Sequence, residues 1–286
     1  EIPGQRKTGG MAATAVVARR VGEKNLPAAR IAAVQAILLG SIRVLVIGLF
    51  GYHYAREILQ LMGGEADLIE EGYGYTRWLI GVNITIMLLF LIKAIFRGAG
   101  DASMAMWTLV LSNGLNIILD PIFIFGLGPI PEFGVTGAAI ATNIGRGTAV
   151  LFQLSILLFG WGRIRVRLRD WVLNLAVMWN LIRVSLGGIA QFLIGTSSWV
   201  FLMRLMSTFG SEVLAGYTIA IRVMMFTLMP AWGMSNAAAT LVGQNLGAEQ
   251  PERAERSVWK TSKYNAIFML TVSVGYLVFA PELMRL

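Results

Sequence analysis

The chain has 286 residues, 56% of them hydrophobic and only 14% charged, with a mean hydropathy of +0.66, whereas soluble domains carry about 25% charged residues. That composition excludes a soluble globular enzyme. Cysteine is absent and His53 is the single histidine, which removes disulfides, thiolate nucleophiles and most zinc or haem chemistry. The net charge of +8 sits between apolar runs and not on one water-facing surface, so it reads as membrane topology, with no nucleic-acid partner.

In chain order, a partial apolar run at 8–21 precedes runs at 31–53, 73–96, 104–126, 134–160, 177–209, 213–246 and 258–281. Each of the last seven is long enough to cross a ~30 Å hydrocarbon core as a helix. The expected fold class is therefore an all-α polytopic membrane protein with seven spans and a stub. Charge in the connections alternates. Residues 19–30 hold Arg19, Arg20, Lys24 and Arg30 against Glu23, while 56–77 hold Glu57, Glu65, Asp67, Glu70 and Glu71 against Arg56 and Arg77. By the positive-inside rule, loops 19–30, 93–103, 160–176 and 247–257 are expected to be cytoplasmic, the last by alternation alone. The segment WGRIRVRLRDWVLNLA at 161–176 alternates basic and apolar residues as a strand would. It is read as an interfacial linker: Trp161 and Trp171 suit the headgroup zone. Arg163, Arg165, Arg167 and Arg169 either meet anionic lipid or act as a solvated topological signal.

Shifted by 225 residues, the end of the sequence aligns with its start without a gap. Ala12, Ala13, Val17, Gly22 and Ala29 meet Ala237, Ala238, Val242, Gly247 and Ala254; Ile42, Leu45, Ala55, Glu57 and Leu61 meet Ile267, Leu270, Ala280, Glu282 and Leu286. Residues 1–7 break the match, because their partners at 226–232 are apolar. One period holds six helices, so the chain is expected to carry about one and a quarter repeats of a two-repeat protein, from helix 2 to helix 9 of twelve. The expected division is 1–160 as amino-terminal lobe, 161–176 as basic cytoplasmic linker and 177–286 as the start of the carboxy-terminal lobe. An even number of helices per repeat makes the lobes parallel about an axis along the membrane normal, with a cleft between them.

Polar groups inside a span are costly, so they are functional candidates. Asp120 lies about four residues from the outer end of its run, and Asn116 is one turn deeper on the same face. Pro121 lacks a backbone donor, which frees a carbonyl one turn earlier. A carboxylate, an amide oxygen and that carbonyl would together hold Na⁺ or a proton; a hydrated Asp120 beside a simple proline kink fits the same residues. Asn83-Ile84-Thr85 has the form of a glycosylation sequon but lies inside a run.

The stretch NIILDPIFIFGLG followed by GVTGAAIATNIG, with RGAGD at 97–101 and TLVGQNLGAEQPERAE at 240–255, resembles the MATE family of multidrug and toxic compound extrusion transporters. The resemblance implies a MATE-like two-lobe bundle of six-helix repeats, here incomplete. It implies a secondary antiporter, not an enzyme, exporting cationic or amphipathic small molecules in exchange for H⁺ or Na⁺ by alternating access. It also implies a monomer in the cell (inner) membrane with no cofactor beyond the coupling ion. The family's cation site combines an Asp of helix 1, an Asn and Asp four apart in helix 5, and a Thr of helix 6. Asn116 and Asp120 match the helix 5 pair and Thr142 the helix 6 residue; the helix 1 Asp has no counterpart in this chain.

Two departures stand out. Arg146 sits one turn from Thr142, where a guanidinium beside Asp120 would compete with Na⁺; a side chain turned elsewhere would not. Some members carry a Glu in helix 7 where this sequence has Gln191, which disfavours a second proton site. Arg43 and Arg222 lie deep enough to line a cleft, while Lys93 and Arg204 lie near span ends, where long side chains snorkel. Met225, in the stretch VMMFTLMPAWGM at 223–234, would offer either an adaptable apolar cleft wall or a lipid-facing surface. The alternative function is a lipid-linked oligosaccharide flippase of related fold. Without helices 1 and 10–12, the isolated chain is not expected to transport.

Overall fold

The computed structural model describes residues 9–61, 66–81, 84–160 and 162–279. Asn83 of the sequon, Trp161, residues 1–7 and the repeat positions Ala280, Glu282 and Leu286 lie outside them. Among the described residues every regular element is helical: α1 Gly9–Gly22, α2 Leu26–His53, α3 Ala55–Leu61, α4 Ala66–Gly81, α5 Ile84–Gly98, α6 Ala102–Phe125, α7 Gly134–Phe159, a 3₁₀ turn Leu168–Asp170, α8 Leu175–Ser207, α9 Ser211–Gly247 and α10 Pro251–Val278. By length and composition alone, Leu26–His53, Ala102–Phe125 and Leu175–Met206 are apolar enough to cross a bilayer. Helices α7, α9 and α10 have 26, 37 and 28 residues, ample at 1.5 Å per residue. Their hydropathy is diluted by Gly, Ser, Thr, Asn and charged residues.

Helix ends follow local chemistry. Gly126 and Gly160, at φ 68° and 80°, stop α6 and α7 in the left-handed conformation that glycine adopts without strain. Proline opens α10 at Pro251, where a missing N–H costs nothing. The apolar run at 73–96 is occupied by α4 and α5. The acidic connection expected at 56–77 is itself largely helical, because α3 and the first turns of α4 run through it.

The contacts divide the described chain into two units, residues 26–181 and residues 9–25 with 182–279. In the first, α7 packs on α6, α5 and α4, and α2 packs on α5 and α4. Its core is built from Ala33 and Val34 of α2, Ile92 and Ile95 of α5, and Ala141 and Ile156 of α7. Helices α6 and α7 approach backbone to backbone. A Cβ on Gly137 would collide with the Phe123 carbonyl, and one on Gly145 would stand 2.9 Å from the Ser112 carbonyl.

The basic linker is fastened to this unit. Gly160 turns the chain back so that the Val166 N–H donates to the Leu157 carbonyl at 2.8 Å, with Ile164 and Val166 buried and Arg163, Arg165, Arg167 and Arg169 exposed. Gln35, fully buried in α2, donates Nε2 to the Val172 carbonyl at 2.7 Å and accepts from the Asn174 N–H at 3.1 Å. Asn174 in turn accepts from the Val177 N–H at the start of α8. The strand-like alternation is thus expressed in an extended segment docked on helices.

In the second unit, α9 packs on α1 and α10. The α1–α9 crossing obeys the repeat offset residue by residue. A Cβ on Gly22 would collide with the Gln244 carbonyl, a Cβ on Gly247 with the Arg19 carbonyl, and Gly243 faces the Ala18 side chain. Positions 19 and 244, 22 and 247, and 18 and 243 are repeat counterparts, so the helices cross about a local two-fold axis near Ala18 and Gly243. This is why the contact division differs from the sequence division at 160 and 177: α1 packs on its own counterpart.

Candidate functional site

The three residues proposed for a cation site converge. Asn116 and Asp120 share one face of α6, and the Asn116 Nδ2 donates to Asp120 Oδ1 at 2.7 Å and to Thr142 Oγ1 of α7 at 3.4 Å. All three side chains are half-buried. Gly145 makes the approach possible, since its missing side chain lets the Ser112 carbonyl and the Asn116 backbone lie against α7. Neither Asn116 Oδ1 nor Asp120 Oδ2 has a hydrogen-bond partner among the described residues, so two oxygens remain to receive a cation. Pro121, inside α6, leaves the Ile117 carbonyl without its usual donor.

Arg146 does not close this site. Among the described residues it forms no ion pair with Asp120, and its electrostatic neighbour is Tyr75 of α4.

Sequence reasoning missed the neighbouring polar pair. Thr85 Oγ1 of α5 donates to Asn143 Oδ1, and Asn143 Nδ2 donates to the Ala139 carbonyl, each at 3.0 Å. Asn143 follows Thr142 directly, so α7 presents polar groups toward both α6 and α5. An asparagine inside an apolar run is the available signal; Thr85 stands in the sequence only as part of a sequon.

The other candidates lie on other helices. Arg43 is exposed on α2, with Nη2 3.5 Å from Met87 Sδ. Gln191, Arg222 and Met225 lie on α8 and α9 in the other unit, with exposed side chains. There the single Tyr276 hydroxyl proton of α10 is shared between the Thr227 hydroxyl at 3.0 Å and the Val223 carbonyl at 3.2 Å, bracing α9 just before Pro230. Arg204 is exposed near the end of α8. Lys93 departs from expectation: it is 7% exposed and its Nζ lies 4.3 Å from the centre of the Phe90 ring. One turn away, that ring offers the ammonium a π face, so it does not snorkel.

The family model described as MatE matches residues 8–122 and 188–286. The chain is 27% identical over 279 residues to the probable multidrug resistance protein NorM of Thermotoga maritima, covering 96% of this chain and 59% of that protein. It is 24% identical over 270 residues to the FAD transporter of Shewanella oneidensis, covering 94% of this chain and 59% of that protein. The solved structure of a MOP superfamily transporter from Pyrococcus furiosus superposes with a TM-score of 0.89 at 29% identity, over 96% of this chain and 60% of that one. The chain thus spans about three fifths of the length of the relatives it matches.

Proposed function

This chain belongs to the MatE family, and from that premise we propose that it serves a secondary antiporter, exporting cationic or amphipathic compounds in exchange for H⁺ or Na⁺. The cluster of Asn116, Asp120 and Thr142 carries the reading. A carboxylate inside a helical span is costly, and its direct hydrogen bond here comes from an amide that can rotate. When a proton or Na⁺ neutralises Asp120, the Asn116 amide loses its charged acceptor; for Na⁺ it turns Oδ1 toward the ion. Both events act across the α6–α7 contact. An ion bound better in one packing than in the other shifts the population between them, as coupled exchange requires.

The test is efflux of a cationic dye, driven by an imposed pH or Na⁺ gradient, from cells expressing the complete transporter that contains this chain. Asp120→Asn is expected to reduce gradient-driven efflux at least tenfold while membrane expression is kept. Undiminished efflux in that variant removes Asp120 from the mechanism.

The relatives reported above are named as multidrug and FAD transporters, which supports a transporter over an enzyme and does not favour the flippase alternative. A second reading concerns substrate polarity. Arg43 and Arg146 lie in spans of one unit, and positive side chains there suit an organic anion better than a cation; the relative named for FAD is consistent with that. Competition of dye efflux by FAD separates the two: a cation exporter is indifferent to it. The expected placement remains the inner membrane, with loops 19–30, 93–103, 160–176 and 247–257 on the cytoplasmic side and the protein acting as a monomer.

A further inference from the structure

We propose that the pocket between the first turn of α2 and the basic linker binds a phosphate group carried by an anionic membrane lipid or a soluble phosphate ester. The pocket has a volume of about 210 Å³ and is lined by Leu26, Arg30, Arg163, Ile164, Arg165 and Arg167. At ~30 Å³ per water it holds about seven waters, which is room for a phosphate and the start of its ester. Four arginines from two separate chain segments line it, and each guanidinium is a planar fork that matches phosphate oxygens bidentately.

The surrounding acids are engaged elsewhere. Asp101 accepts from the backbone N–H of Arg163 at 3.3 Å and from Ser103 Oγ at 3.1 Å. Asp170 accepts from the backbone N–H of Arg167 at 2.8 Å. Both carboxylates hold the linker's backbone, and among the described residues none of the four guanidiniums has an ion-pair partner. The one side-chain hydrogen bond among them runs from Arg165 Nε to the Leu158 carbonyl at 3.3 Å, which leaves that side chain's terminal nitrogens for a ligand.

The segment is also held in shape before any ligand arrives. Ile164 and Val166 are each 3% exposed, the Val166 N–H is bonded to Leu157, and Gln35 clamps Val172 and Asn174. Burial of alternate apolar residues turns the arginines between them outward on an already ordered backbone, so binding has to order only their side chains. A topological charge signal needs only charge; it needs neither a buried clamp nor a cavity. Placement favours a headgroup as the source: Arg30 precedes the apolar run of α2, the linker follows the end of α7, and Trp171, 39% exposed, lies on the same segment.

The experiment uses the purified chain in a neutral detergent. One arm adds phosphatidylglycerol and counts retained lipid by native mass spectrometry; the other adds glycerol phosphate or inorganic phosphate and follows the thermal midpoint. Lipid retention is expected to fall at least tenfold in R30Q/R163Q/R165Q/R167Q. It should stay within twofold in R253Q/R256Q/K260Q/K263Q, which removes the same charge from α10. A midpoint shift with the soluble phosphates but no lipid retention, lost in the same variant, assigns the site to a soluble ester. Equal losses in the two quadruple variants, or no binding in either arm, overturn the proposal. Should the pocket variant fail to fold, R30K and R165K decide: each is expected to lower retention at least threefold, and unchanged retention overturns the site.

Discussion

At the residue scale, one amide organises the candidate cation site. Asn116 makes a short bond to a charged acceptor and a long one to a hydroxyl, and bonds to charged groups are worth about 1.5–3 kcal/mol against roughly 1 for neutral ones. Replacing Asn116 with Ala is therefore expected to lower gradient-driven efflux by more than tenfold, and Thr142→Val by about two- to fivefold; the reverse order would show that Thr142 is the principal ligand. A second residue gives a pH-dependent term. The Glu23 carboxyl, in the turn after α1, is held below its ordinary value, first by the hydrogen bond from Arg20 and further by its charge and by Arg19. A depressed folded value means that the ion pair contributes fully above the ordinary carboxylate range and is lost as pH falls through the folded value. Glu23→Gln should thus give a slightly lower thermal midpoint at pH 7 and the same midpoint as the parent in strong acid, a small effect because exposed pairs contribute little. The Asn116–Asp120 pair was legible from spacing, since residues four apart stack on a helix. Its meeting with Thr142 was not, because periodicity gives a helix its faces without saying which face meets which. Lys93 shows the same limit: its place near a span end was readable, but the choice between water and the Phe90 ring depends on the local rotamer.

At the element scale, α6 and α7 meet where glycine lets them. A Cβ on Gly145 would stand 2.9 Å from the Ser112 carbonyl of α6, whereas one on Gly114, in α6 itself, would meet nothing within 4 Å. The two positions should respond with opposite sign. Gly145→Ala overpacks the crossing and is expected to cost about 1–3 kcal/mol, while Gly114→Ala is expected to gain about 0.4–1 kcal/mol by restricting the unfolded chain. Denaturation of both variants in detergent checks the pair; equal shifts would mean that the helices are not in close contact. Composition announced that glycines were numerous without distinguishing these two, because the difference lies in the neighbouring backbone. The long helices α2 and α6 to α10 were legible from long apolar runs and from the stops at Gly126 and Gly160, whereas the single run at 73–96 is occupied by two helices, α4 and α5. The acidic connection was less so: a polar sequence reads as a loop, yet α3 and the start of α4 are helical.

At the scale of the whole molecule, the repeat read from the sequence has a physical counterpart in the α1–α9 crossing. Gly22 and Gly247 each face the other helix's backbone at repeat-equivalent carbonyls, so Gly22→Ala and Gly247→Ala are expected to destabilise the chain by similar amounts. The double variant should cost less than the two together, since the first substitution already parts the helices. A thermal or chemical denaturation series reads this directly; full additivity would indicate that the two glycines act at separate contacts. Such a crossing has the character of a homodimer interface, in which one patch serves both partners, now enclosed within a single polypeptide. Two separate codons thus encode positions that are not free to vary separately: a larger side chain on either helix must be answered by the other. In that sense Gly22 and Gly247 are one structural position written twice, and drift in the two halves of the gene is tied together where the copies touch.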